Sequence, residues 1–176
     1  MATIAIDRPA ADEYSQPFAR YVERVPDGAL VAQLERQAAD TASVLGALSA
    51  EQAAHRYAPD KWSVKEIVGH LADAERIFSY RLLRFARNDG TPLPGFDEDP
   101  YVEAGEFDRR TLPDLLAELA SVRDATLRLL RGLPADASAR RGVASSGTLS
   151  VRALAYVIAG HELHHREVLK TRYGVG

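Results

Sequence analysis

The chain has 176 residues, 46% hydrophobic and 27% charged, which fits one folded domain over residues 1–176 and excludes a disordered chain. No run approaches the roughly 20 apolar residues of a membrane span, and a formal charge of −3 gives no general attraction to nucleic-acid phosphates. The absence of cysteine excludes disulfides, thiolate-held metals and a thiol nucleophile from the chain itself, so any metal is held by nitrogen and oxygen.

Residues 1–26 read as an N-terminal extension. Its early acids, Asp7, Asp12 and Glu13, and its lack of a long apolar stretch are unlike a secretory leader, so a cytoplasmic location is expected. A short helix is expected over Asp12–Val25, with Tyr14, Phe18 and Tyr21 packing it onto the remainder as ordinary core. From Asp27 to Ser49, Leu30, Leu34, Ala38, Thr41, Leu45 and Leu48 recur at three and four, one stripe on a first long helix.

The second long helix has the clearest start. Ser63 and Glu66 form a Ser-x-x-Glu capping box, with Trp62 and Ile67 at the staple positions. It runs to about Asn88, with Ile67, His70, Leu71, Ala74, Ile77, Phe78, Arg81, Leu82 and Phe85 on the inward face. The third starts at Thr111 with Pro113 and Asp114 in its first turn and stops at Gly132. Ser150 caps the fourth, on which Leu154, Ile158, His161, His165 and Val168 share a face until Gly174.

No stretch alternates clearly as a strand, so the fold class is all-α, a four-helix bundle. The stretch from Asp89 to Arg110 is far longer than an antiparallel hairpin needs. It reads as a crossover between parallel helices two and three, carrying Asp97, Glu98, Asp99 and Tyr101 past the middle of the bundle.

The chain has 5 histidines, and the run 160–165 holds three of them in Gly-His-Glu-Leu-His-His. His161 and His165 stand one helical turn apart and can grip one cation without bending the backbone. His70, inward on the second helix, is the natural third ligand. Three imidazoles leave a coordination position open, as catalytic rather than structural sites do. His164 could replace His165, because i,i+3 spacing also chelates; otherwise it lines the site. His55 reads as a surface residue.

The run also spells HExxH, in which Glu162 would be a general base. Arg166 onward lacks the HxxGxxH continuation, and no second ExxH exists to complete a di-iron bundle. Glu162 therefore reads as a flank of the site, paired with Arg166 one turn on, or else as a base.

Three motifs in this order resemble one family. They are Lys61-Trp62-Ser63-Val64-Lys65-Glu66-Ile67-Val68-Gly69-His70-Leu71-Ala72-Asp73-Ala74-Glu75-Arg76, then Thr91-Pro92-Leu93-Pro94-Gly95-Phe96-Asp97-Glu98-Asp99, and last Gly160-His161-Glu162-Leu163-His164-His165. Over Tyr21 to Tyr173 the chain resembles the DinB/YfiT-like superfamily. The resemblance implies a four-helix bundle of up-down-down-up order and one divalent metal on His70, His161 and His165. It also implies a homodimer. Relatives include thiol transferases that use bacillithiol, mycothiol or glutathione, a mycothiol-dependent maleylpyruvate isomerase, and metal-dependent hydrolases without an assigned substrate.

Fold alone does not choose among these reactions. The first expectation is transfer of a low-molecular-weight thiol to a small electrophilic substrate, the metal lowering the thiol pKa and Arg81 holding a cofactor carboxylate. The second is hydrolysis by a metal-bound water, with Asp97 or Glu98 as proton shuttle. The third is a metal-stabilised stress or binding protein without turnover. Zinc is the first expectation for the ion; nickel, iron and manganese also suit three imidazoles.

Overall fold

The computed structural model describes residues 6–145 and 147–176. In chain order its α-helices are α1 (Gln16–Val22), α2 (Leu30–Gly46), α3 (Ala50–Ala54), α4 (Val64–Ala86), α5 (Glu98–Gly105), α6 (Leu112–Arg131) and α7 (Val151–Tyr173). Between α6 and α7 stand two antiparallel strands, β1 (Arg141–Ala144) and β2 (Gly147–Ser150), with Arg141 opposite Ser150. None of the helices is long and apolar enough to cross a membrane among the described residues.

Local chemistry sets the helix starts. Ser63 Oγ accepts from the Glu66 N–H at 3.1 Å while Glu66 Oε2 accepts from the Ser63 N–H at 2.7 Å, the reciprocal cap expected of α4. Ser150 Oγ accepts from the Ala153 N–H at 3.0 Å and Thr111 Oγ1 from the Asp114 N–H at 3.3 Å, starting α7 and α6. Gly174, at φ 68°, ends α7 in the left-handed conformation.

Side-chain pairs fix the directions of the long helices. Lys65 reaches the Arg110 carbonyl at the start of α4 and α6, and Glu75 meets Arg123 further along, so these two run parallel. Tyr173 donates to the Trp62 carbonyl while His161 meets His70, so α7 runs against α4. Arg131 pairs with Glu35 and Ala42 faces Leu116, so α2 runs against α6. The order is up-down-down-up.

The crossover between α4 and α6 is more structured than a loop. Leu93 bridges to Ala144 of β1, and Asp97 caps α5 by accepting from the Asp99 N–H. Phe107 then seats over α4 at Gly69, where a Cβ would fall 2.3 Å from its ring. Three features depart from the sequence reading. The first long helix ends at Gly46, and Ser49 caps the separate α3 with Gln52. The crossover contains α5, and a hairpin precedes α7. That hairpin has only Val143 and Thr148 as β-branched residues, too few to signal strands.

Two apolar clusters fill the bundle. One gathers Phe78 to Ala86 of α4, Leu127 and Leu130 of α6, and Val151 to Ala159 of α7. The other gathers Val64 to Ala72, Leu112 to Val122, and Leu169. Where they meet, each long helix turns a polar residue inward: Thr41, Glu75, Arg123 and Glu162, with His70 and His161 beside them, all buried. A polar layer through the waist of a bundle costs stability unless every member is paired, as Thr41, Glu75, Arg123 and Glu162 are here with one another.

Candidate metal centre

His70, on α4, and His161 and His165, on α7, bring their Nε2 atoms together. His161 Nε2 lies 3.1 Å from His70 Nε2 and 3.2 Å from His165 Nε2. Three nitrogens on one tetrahedral zinc, each about 2.0–2.1 Å from it, stand roughly 3.3 Å apart. The spacing present therefore fits a single divalent ion, and these three residues form a group that could hold one among the described residues. Burial and the neighbouring rings favour the neutral, ligating form. The His70 pKa is pushed down to about 4, and those of His161 and His165 fall well below the ordinary histidine value.

Aromatic rings wall the cluster. Trp62 lies 4.8 Å from the His70 ring, Phe78 5.6 Å and Tyr21 5.3 Å from that of His161, as centroid distances. The sequence reading gave Phe18 and Tyr21 no part in the site, yet both line its cavity. Their signal was Gly160. A Cβ there would fall 1.9 Å from the Tyr21 carbonyl oxygen, so glycine lets α1 lie directly on α7 beside the first ligand. The cavity holds about 350 Å³, and His70, His161 and His165 form part of its wall.

His164 stands beside the triad, also lines the cavity and has a buried Nδ1 without a hydrogen-bond partner. The converging set includes His165 and omits His164. His55 is exposed, 6.0 Å from the Tyr173 ring.

The other candidates separate. Glu162 is buried and fully engaged: Thr41 Oγ1 donates to one carboxylate oxygen at 2.5 Å and Arg123 Nη2 to the other at 2.8 Å. The expected pairing with Arg166 is not formed, because Arg166 turns outward to Asp40 at 3.6 Å while Arg123 reaches Glu162 from α6. Arg123 also holds Glu75 through Nε and Nη2, at 2.8 to 3.1 Å, and donates to the Leu34 carbonyl at 3.0 Å. Neither Glu75 nor Arg123 was expected at the site; each lies beside an apolar stripe, where periodicity alone reads a charge as solvated.

Asp97 is exposed, spends its carboxylate on capping α5 and does not line the cavity. Glu98, one residue on, does line it and is also exposed. Arg81 lines it from α4 and donates to the Pro94 carbonyl at 2.8 Å. His70, His161, His165 and Arg81 thus meet in one cavity, as their inward positions suggested, while the aromatic wall and the charge network behind it were not expected from the sequence.

The DinB superfamily model matches residues 33–169, and the chain belongs to that superfamily. Among solved structures it is similar to Bacillus subtilis YfiT, described as a probable metal-dependent hydrolase with an unusual four-helix bundle topology. The identity is 20%, with a TM-score of 0.71 over 84% of this chain and 87% of that one. At that identity the likeness concerns the fold. No curated protein matches the chain significantly.

Proposed function

We propose that this protein is a divalent-metal-dependent enzyme acting on small molecules, and that its reaction is transfer of a low-molecular-weight thiol to an electrophile. The convergence of three neutral Nε2 atoms inside a cavity is the observation that carries the reading. His70, His161 and His165 would hold the ion, zinc being the first choice of such a donor set. A bound divalent ion supplies Lewis acidity, which makes a thiol or water ligand acidic near neutral pH.

The protein side of the cavity favours the thiol. Glu162 is consumed by Thr41 and Arg123, so the acid of the HExxH run is not free to take a proton. Trp62, Phe78 and Tyr21 present apolar faces against which an organic reactant could pack. The chain has no cysteine of its own, so the thiol would be borrowed.

Hydrolysis is the second reading, favoured by Glu98 in the cavity wall, where a carboxylate could pass a proton to a leaving group. Cobalt-substituted protein separates the two. Addition of simple thiols should change its visible and near-ultraviolet spectrum; an unchanged spectrum across a panel of thiols overturns transfer. Turnover of esters or amides without thiol, lost in Glu98→Gln, would favour hydrolysis.

A further inference from the structure

Arg81 is 97% removed from solvent, at 3% exposure, yet no carboxylate lies within ion-pair distance of it among the described residues. Its neighbours are the Pro94 carbonyl, which accepts from Nη2, and the rings of Phe78 and Phe96, each 5.9 Å from Cζ. A single carbonyl and two ring faces satisfy few of its five donors. The other buried arginine, Arg123, shows the contrast, since two glutamates and a carbonyl surround it. Burial pulls the Arg81 pKa below its ordinary value and no acid opposes it, so beyond the carbonyl and the rings the guanidinium has no counter-charge among the described residues.

Arg81 also belongs to the cavity of the histidine cluster. Phe78 links the two, its ring 5.9 Å from the guanidinium carbon and 5.6 Å from the His161 ring. Ser145 adds a hydroxyl to the same wall, and Arg20 a second positive charge against one negative charge from Glu98. The balance of charged side chains in the wall is positive before any metal binds.

We infer that Arg81 is the anchor for a carboxylate on the small molecule that reacts at the histidine cluster, so that the protein selects anionic reactants. An anion there supplies the counter-charge that Arg81 lacks. A guanidinium grips a carboxylate with two parallel hydrogen bonds, holding it in one orientation. The ring of Phe78 then separates the gripped end from the reacting end. This deepens the proposed function and rests on it for the reaction, though the anion site itself requires no metal. The carboxylate belongs either to the thiol or to its electrophilic partner; the recognition chemistry is the same.

The test uses ω-mercaptoalkanoic acids of increasing chain length, each beside its amide, with binding followed by calorimetry and by fluorescence of Trp62, the single tryptophan, which lines the cavity. Metal-loaded wild type should bind an acid about tenfold or more tightly than its amide at the best length, as a charge-assisted pair implies. If the preference is absent there but present for alkanoic acids over their amides after saturation with 2-mercaptoethanol, the carboxylate belongs to the electrophile. Metal-free protein should still prefer the acid, which keeps the anion site distinguishable from the metal reading.

Arg81→Gln should abolish the preference while keeping metal content, and Arg81→Lys should restore part of it. Should Arg81→Gln fail to fold, the Arg81 Nε–H resonance of labelled wild type decides: it should move with the acid and not with the amide. Equal binding of acid and amide in every arm, a preference that persists in folded Arg81→Gln, or an unmoved resonance overturns the inference.

Discussion

Arg123 and Glu162 form an ion pair of 2.8 Å in which the two side chains are only 4% and 3% exposed. The residue next to a proposed metal ligand is thereby tied across the bundle to α6, and through Arg123 to Glu75 of α4. Three helices that carry or flank the ligands are locked in register by one guanidinium.

Removing that guanidinium should be far more harmful than removing one acid. Arg123→Met leaves two buried carboxylates without a counter-charge, Glu162 keeping only its bond from Thr41, and should cost about 3–5 kcal/mol, the penalty for breaking a buried pair. Glu162→Gln keeps an acceptor for Thr41 and leaves a balanced Glu75–Arg123 pair, so its loss should be clearly smaller. Urea unfolding of both variants checks the order; equal losses would contradict the account. Glu162→Gln should also retain the metal, since it is not a ligand.

Gly160→Ala tests the seating of α1. The added methyl would meet the Tyr21 carbonyl, so α1 must lift from α7, at a cost of about 1–3 kcal/mol for overpacking. Because Phe18 and Tyr21 line the cavity, the lift should also expose Trp62, which collisional quenching of its fluorescence would detect. Unchanged stability and quenching would show that the close approach has no consequence.

Acid stability should depend on Glu13. Its hydrogen bonds from Arg152 are the largest cause holding its pKa down, to about 2 from the ordinary 4.5. Between those values the unfolded chain binds more protons than the folded one, so the contribution is complete above about pH 4.5 and fades as pH falls through about 2. Glu13→Gln should lower stability at neutral pH and flatten the acid limb in this window. A limb of unchanged slope would contradict the assignment.

Much of this architecture was legible because the signals were local. Ser63 with Glu66, Ser150 and Gly174 each specify a helix boundary through bonds within a few residues, and they appear where the pattern put them. The spacing of His161 and His165 fixes their mutual geometry on any helix. Partners from distant segments were not legible. Arg123 finds Glu162 and Glu75 only once α4, α6 and α7 have packed, whereas helix spacing suggested the wrong partner, Arg166. The hairpin before α7 is held by pairing and by Leu93 more than by strand-forming side chains. The cavity wall from α1 depended on one glycine whose meaning is tertiary.

Metal content is the most direct test. Elemental analysis of tag-free protein, wild type beside His70→Ala and His161→Ala, should give about one equivalent of divalent ion per chain in wild type and a loss of it in both variants. Wild type that remains metal-free after reconstitution with zinc, nickel or manganese would contradict the central claim, as would full occupancy in either variant.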